Sequence, residues 1–238
     1  MLLCYPLRMQ RAAAAAANCM LTPRERWISL LEAVFGAFVV IGHNILRILP
    51  NEVPILFALF WLSQRLRNGR WTGAGLERPE SWPRTVAIAI VAAAVLQCGS
   101  AYVMQPLGSY LWHRPEQVSS VLTSSALGWK SALWSLAIVW LFAAFGEELG
   151  YRGYLLPRAA DVGNRSKLAY AIAMVCVAVL FGFAHFYKGP AGVLDSTYSG
   201  LVLGGVYLLS GRNLWASILT HGISDTFAVL VVFMGWAT

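Results

Sequence analysis

Phe145-Gly146-Glu147-Glu148-Leu149-Gly150-Tyr151-Arg152-Gly153-Tyr154 sets two adjacent carboxylates and an arginine near the end of an apolar run that begins around Ser131. Charged groups inside a bilayer are costly and default to a functional reading. Whether this stretch lies in a membrane therefore decides the fold. The whole chain says that it does: 238 residues, 58% hydrophobic and only 12% charged. A soluble domain of this length carries about 25% charged residues. The apolar residues fall in long blocks rather than in short alternating runs. That pattern predicts an all-α, polytopic transmembrane helical bundle rather than a β-barrel.

The net charge of +7 does not point to nucleic acid. The basic residues cluster between the apolar blocks, where they orient helices in a membrane. The four cysteines, Cys4, Cys19, Cys98 and Cys176, show no paired spacing, so neither a disulfide framework nor a CxxC metal site is expected. Cys98 and Cys176 read as small apolar core residues.

Working outward from the opening stretch, about seven spans (six to eight) are expected. Residues 1–26 form a basic, alanine-rich leader, expected to be disordered. Residues 27–129 hold N-terminal membrane helices and linkers, and residues 130–238 a C-terminal core. The first span covers 28–49, with His43 read as an interfacial residue at its far end. The second, 53–62, is too short to cross unless its neighbours contribute, since about 20 residues are needed. Residues 65–84 are a polar linker, and 85–104 the third span. Residues 106–129 are a polar-aromatic loop with a short interfacial helix near 118–126. The fourth span, 131–156, carries the opening motif. A basic loop, 158–167, leads to the fifth span at 168–186, followed by 191–209 and 214–236.

The break at Ser210-Gly211-Arg212-Asn213 ends one helix on a glycine and lets Asn213 cap the next. Gly146 and Gly150, and likewise Ser196, Gly200 and Gly204, recur every four residues and are read as close helix packing. Seven spans with the N-terminus inside leave thirteen basic residues inside and four outside. This favours a cytoplasmic N-terminus in the cell membrane.

Two later spans supply partners for the motif. Phe181 and His185 stand near the end of the fifth, and His221 and Asp225, four apart, lie on the seventh. Glu148 precedes Arg152 by four, the favourable order for a same-face ion pair. Glu147 is rotated by about 100° from Glu148, so one carboxylate can be held by Arg152 while the other faces a cavity. Taken singly, each group has a bland reading: an interfacial histidine, a local His–Asp hydrogen bond, an ion pair at the membrane surface. Leaving Glu147, Glu148, Arg152 and Asp225 in lipid, at about 2.5–3.5 kcal/mol each, would cost on the order of 10 kcal/mol. Convergence on a polar cavity is the economical inference. One depth does not fit. Glu147 is about 15 Å from the inner helix end if that end is near Pro157, and His221 about 12 Å from Asn213, but His185 is about 25 Å from Leu168. The fifth helix is expected to start later, tilt or break.

The ordered set EExxxR (Glu147, Glu148, Arg152), FxxxH (Phe181, His185) and HxxxN/D (His221, Asp225) resembles the CPBP family, the CAAX-protease and bacteriocin-processing intramembrane peptidases, also called Abi. These are related to the type II CAAX prenyl endopeptidases. The resemblance covers roughly residues 130–230. It implies hydrolysis of peptide bonds in membrane-associated or lipidated, including prenylated, protein substrates, with the bilayer as the surrounding partner. Glu147 and His185 would activate a water, and His221 and Asp225 would stand at the scissile carbonyl. Glu148, Arg152 and Phe181 would support them. Many relatives carry asparagine where this chain has Asp225, so the aspartate would orient His221 and leave the histidine as donor. The resemblance favours a metal-free glutamate mechanism. Glu147, His185 and His221 also make a two-His, one-carboxylate set for Zn, although no HExxH motif is present. The competing readings are a non-catalytic membrane scaffold or immunity-type protein and an ion-coupled transporter.

Overall fold

The computed structural model describes residues 20–67, 75–124, 126 and 128–236, and all regular structure among them is helical. Six helices are long and apolar enough to cross a membrane. In chain order the helices are α1 (Pro23–Asn44), α2 (Glu52–Arg67), α3 (Trp82–Trp112), α4 (Ser120–Ser124), α5 (Trp129–Val162), α6 (Lys167–Ala184), α7 (Gly189–Leu209) and α8 (Leu214–Phe233). The 16-residue α2 and the short α4 are the two outside the spanning set. The chain is an integral, multi-pass membrane protein. Most of the expected leader, with Cys4 and Cys19, lies outside the described residues. Its last residues, from Pro23 on, open α1 behind a Thr22–Glu25 capping box.

Starts and stops follow the local chemistry. Ser166 caps α6 by accepting from the Ala169 amide, and Asn213 caps α8 by accepting from Trp215. Between α7 and α8, Gly211 and Arg212 both take positive φ, 72° and 67°, which closes the expected tight turn.

Two spans run much further than their prolines suggest. The third was expected to end at 104 and the fourth at 156; they continue to Trp112 and Val162. Proline lacks an N–H and clashes with the carbonyl four residues back. Both helices absorb this by widening into π turns just before the proline. Gln105 N–H bonds Ser100 O ahead of Pro106, and Leu156 N–H bonds Tyr151 O ahead of Pro157. In α5 the π register occupies Val139–Glu147 and Leu149–Leu155, the segment that holds the polar motif. Such bulges gather at functional sites. The late end of α5 puts Glu147 about 22 Å from that end, near the depth of His185, while His221 stays about 12 Å from Asn213. The fifth helix starts at Lys167, about where expected. Arg158, expected in a basic loop, is inside α5 and buried.

Small residues pack as their spacing implies. A Cβ on Gly200 would lie 2.8 Å from Ala178 Cα, so α7 meets α6 at backbone distance. A Cβ on Gly146 would meet Val53 Cγ1 at 2.6 Å, and one on Gly150 would meet Leu56, which seats α2 against the motif. Cys98 and Cys176 are exposed rather than in the core.

The two ends of the bundle differ in charge. Arg26 Nε donates to Val162 O, Arg67 pairs with Glu32, Leu214 N donates to Gly75 O, and Arg212 donates to the Tyr170 hydroxyl. These contacts bring the starts of α1, α6 and α8 to one end with the finishes of α2, α5 and α7. Asp161, fully buried there, accepts from Ser29, Arg158 and Arg165. Ten of the described Arg and Lys residues belong to this end; Arg47, Arg114, Lys130 and Lys188 belong to the other.

Candidate active site

The π segment of α5 sends its two glutamates to different surroundings. Glu148 is fully buried, and its Oε1 accepts from Arg152 Nη1 at 2.8 Å and from His221 Nδ1 at 2.9 Å. Arg152, 1% exposed, also donates from Nη2 to Gly200 O at 3.2 Å. Its guanidinium lies 4.6 Å above the Phe181 ring. Glu148 thus ties α5 to α8, and Arg152 ties α5 to α6 and α7. An ion pair this deep holds only when its remaining hydrogen-bonding groups are satisfied; the Gly200 carbonyl and the aromatic faces supply part of that.

Phe181 is the hub beneath the site. Its ring is edge-on to Tyr151 (5.0 Å), tilted against His185 (4.8 Å) and edge-on to His221 (6.2 Å). FxxxH therefore has a physical sense: one turn of α6 presents a face for the arginine and for both imidazoles. His185 follows the last residue of α6, and its Nδ1 lies 2.9 Å from Phe181 O. A carbonyl only accepts, so Nδ1 carries the proton and Nε2 is left for the cavity. His221 donates from Nδ1 to Glu148 in the same way, and its Nε2 stands 3.5 Å from Asp225 Oδ2.

Glu147 has no such ties. Its Oε2 is buried without a hydrogen-bond partner, and the residue lines a cavity of about 710 Å³. His185, His221, Asp225 and Phe181 line the same cavity. The sequence-predicted residues therefore converge, with Glu148 and Arg152 behind the wall. Glu148 does more than pair with Arg152, because it also fixes the His221 ring. Around His221, Trp140 packs on Gly222 and donates to Thr226 Oγ1 at 3.1 Å. Gln97 on α3 donates to Ser224.

The cavity has a second polar wall that motif reading passed over. His43, Asn44, Asn51 and Glu52 enter from the α1–α2 turn, and Asp195 and Lys188 from α7 and the turn before it. His43 was read as interfacial; its Nε2 stands 3.3 Å from Glu52 Oε2. Asp195 had a usable signal, since it is a carboxylate inside an apolar span. Glu52 had a weaker one, standing where a helix begins.

The zinc reading asks Glu147, His185 and His221 to gather round one point. As placed, no three His, Cys, Asp or Glu side chains among the described residues are arranged to hold a metal ion. The arrangement is that of a cavity lined by Glu147, whose Oε2 is unpartnered, and by two imidazoles.

The Na(+)/H(+) antiporter NhaA of Psychrobacter cryohalolentis is 27% identical over 125 residues, covering 40% of this chain and 31% of the antiporter. The chain thus spans under a third of that relative's length. No solved structure matches the chain. Residues 128–227, which carry every member of the three motifs, match the family described as type II CAAX prenyl endopeptidase Rce1-like.

Proposed function

We propose that this protein is an intramembrane endopeptidase that cleaves membrane-associated substrates with a water activated by Glu147 and His185. The observation that carries the reading is the Glu147 carboxylate. Both motif acids leave one oxygen buried and unpartnered, but only Glu147 opens on the cavity shared with two imidazoles, inside the segment that matches the protease family. A buried acceptor without a donor is a place for a water proton.

In this reading the water donates one hydrogen bond to Glu147 and the other to His185 Nε2. Glu147 takes a proton as the oxygen attacks the scissile carbonyl carbon. The carbonyl oxygen becomes the oxyanion and faces His221 Nε2. Since His221 Nδ1–H is committed to Glu148, the ring must carry both protons to donate there. The flanking carboxylates Glu148 and Asp225 are placed to hold that form in position. Glu147 then passes its proton to the leaving nitrogen as the C–N bond breaks, which leaves a carboxylic acid and an amine. Donors aimed at the developing charge are the strongest single aid to such a step. Every step runs through protein groups.

The charge of the two ends supports an orientation. The basic end, with the start of α1, faces the cytoplasm. The cavity then runs towards the other face, where residues 43–53, 117–122 and 184–188 line it. In this orientation the substrate's cut segment lies on the far side of the cell membrane. Substrates presented there are membrane-tethered peptides.

The test is cleavage of membrane-peptide substrates by purified, detergent-solubilised protein, comparing wild type with Glu147→Gln. Loss of cleavage in the variant, with unchanged folding, is expected. Equal cleavage by both proteins overturns Glu147 as the base. The similarity to an antiporter favours a second reading, ion-coupled transport through the same carboxylates. That reading requires Glu147-dependent ion flux in proteoliposomes without proteolysis.

A further inference from the structure

On the cavity wall away from His221, α7 carries a carboxylate that the peptidase mechanism does not use. Asp195 is only 8% exposed, and its Oδ1 has no hydrogen-bond partner. Ser100 and Glu116 lie beside it. Glu116 Oε1 is 3.1 Å from Lys188 Nζ, while its other oxygen, Oε2, is buried and unpartnered. The Gln117 amide donates to Lys188 O at 3.0 Å and fixes this segment over the cavity. Only Glu116 pairs with that ammonium, and Asp195 Oδ1 and Glu116 Oε2 are left as two buried oxygens without a donor. Among the described residues lining the cavity, Glu52, Glu147, Asp195 and Asp225 stand against Lys188 as the one residue with a fixed positive charge. Lys188 is already engaged by Glu116.

Buried carboxylate oxygens without donors call for a cation or a proton donor. A metal ion suits this wall poorly, because an ammonium already stands among its acids and no three ligating side chains gather there. An organic cation suits it better. A lysine ammonium or arginine guanidinium entering the cavity can donate to Asp195, with the Glu116 carboxylate beside it adding negative charge, and such charge-assisted bonds are the strong ones. Ser196 and Ser199, one and four residues on from Asp195, add hydroxyls along the same wall.

We propose that Asp195, with Glu116, forms a subsite for a basic side chain of the peptide substrate. This rests on the peptidase reading for its ligand, and it narrows the substrate class. A peptide segment bearing lysine or arginine near the cut is favoured, and one that must place its own terminal carboxylate on this wall is disfavoured by like charge.

The experiment uses the full chain in detergent with Glu147→Gln, so that bound peptide is not turned over. Three fluorescent membrane peptides differ at one juxtamembrane position, with lysine, norleucine or glutamate. Anisotropy titration reads their affinities. The lysine peptide is expected to bind about tenfold tighter than norleucine, about 1.4 kcal/mol, with glutamate weakest. Adding Asp195→Asn brings lysine and norleucine within about threefold of each other, about 0.7 kcal/mol. Adding Asp195→Lys puts glutamate ahead. Equal binding of lysine and norleucine peptides without any Asp195 change overturns the subsite, and so does a preference that survives Asp195→Asn. The first comparison needs no Asp195 variant, so misfolding of those variants cannot shelter the proposal. Cleavage of the lysine peptide by wild type is scored separately. Selective binding without cleavage would sink the peptidase reading and leave the cation subsite standing.

Discussion

Replacing Arg152 with methionine tests the buried network that holds the site together. The change preserves length and apolar bulk but removes the cation opposite Glu148. Three interactions go with it: the 2.8 Å bond to Glu148, the 3.2 Å bond to Gly200 O, and the guanidinium stacked 4.6 Å over Phe181. The larger effect falls on what remains. Glu148, fully buried, keeps only His221 Nδ1 as a donor. Breaking one side of a buried ion pair costs about 3–5 kcal/mol, mostly because the other charge is stranded. For a chain of this size each kcal/mol moves the melting temperature by about 2–4 °C, so Arg152→Met should melt about 6–20 °C below wild type. The stranded-charge account makes a sharper claim about the double variant. Glu148→Gln removes the charge yet keeps an acceptor for His221 Nδ1–H, so Glu148→Gln/Arg152→Met should recover at least about 2 kcal/mol relative to the sum of the single changes. The assay is thermal unfolding in detergent, followed by size-exclusion of the soluble fraction, for wild type, both single variants and the double. A melting temperature for Arg152→Met within about 2 °C of wild type, under about 1 kcal/mol, would refute the reasoning. So would strict additivity in the cycle, because the two side chains would then not be acting on each other.

The remaining predictions concern packing, capping and the site acid. Glu147→Gln should leave the melting temperature unchanged or raise it slightly, because the carboxylate it neutralises has a buried, unpartnered oxygen; a drop of several degrees would show that Glu147 holds the fold. Gly200→Leu should destabilise by about 1–3 kcal/mol or more, since its Cβ alone would sit 2.8 Å from Ala178 Cα; wild-type stability in the same unfolding assay would mean that α6 and α7 are not in close contact. Ser166→Ala removes the side chain that accepts from the Ala169 amide, and should cost about 1 kcal/mol, largely restored by Ser166→Asp. Asp161→Asn weakens the buried acceptor of Arg158 and Arg165, and should loosen α1 from the end of α5, read as a lower melting temperature in the same unfolding assay.

Much of this was legible because membranes make sequence unusually explicit. A charged group in a long apolar block has few innocent explanations, so Glu147, Glu148, Arg152, His185, His221 and Asp225 could be chosen before any coordinates. Their i, i+4 spacings named the local pairs, and Glu148 with Arg152 and His221 beside Asp225 are found as expected. The misreadings were also local in cause. Pro106 and Pro157 looked like helix ends because proline ordinarily breaks the hydrogen-bond ladder. The π turns that rescue both helices depend on neighbouring packing and leave no mark in residue type. His43 looked like a membrane-interface residue, and Lys188 like a topology charge, because nothing in a single helix says which turn will lie over a cavity.

The amino-acid sequence by itself determined that the chain is a membrane-spanning helical bundle and which polar side chains have no business in lipid. Hydrophobic block length, charge placement and helical spacing are properties of a strand of residues, and they suffice for that. Only the tertiary structure decided that Glu148 is the acid tied down, by both Arg152 and His221, while Glu147 opens on the cavity. Only it decided that Phe181 is the surface on which the arginine and both imidazoles rest, and that Glu52 and Asp195 complete the cavity from helices far away in the chain. The physical reason is that a buried charge takes its meaning from whatever partner reaches it. Those partners come from residues 48 to 73 positions apart, a separation that side-chain periodicity does not encode.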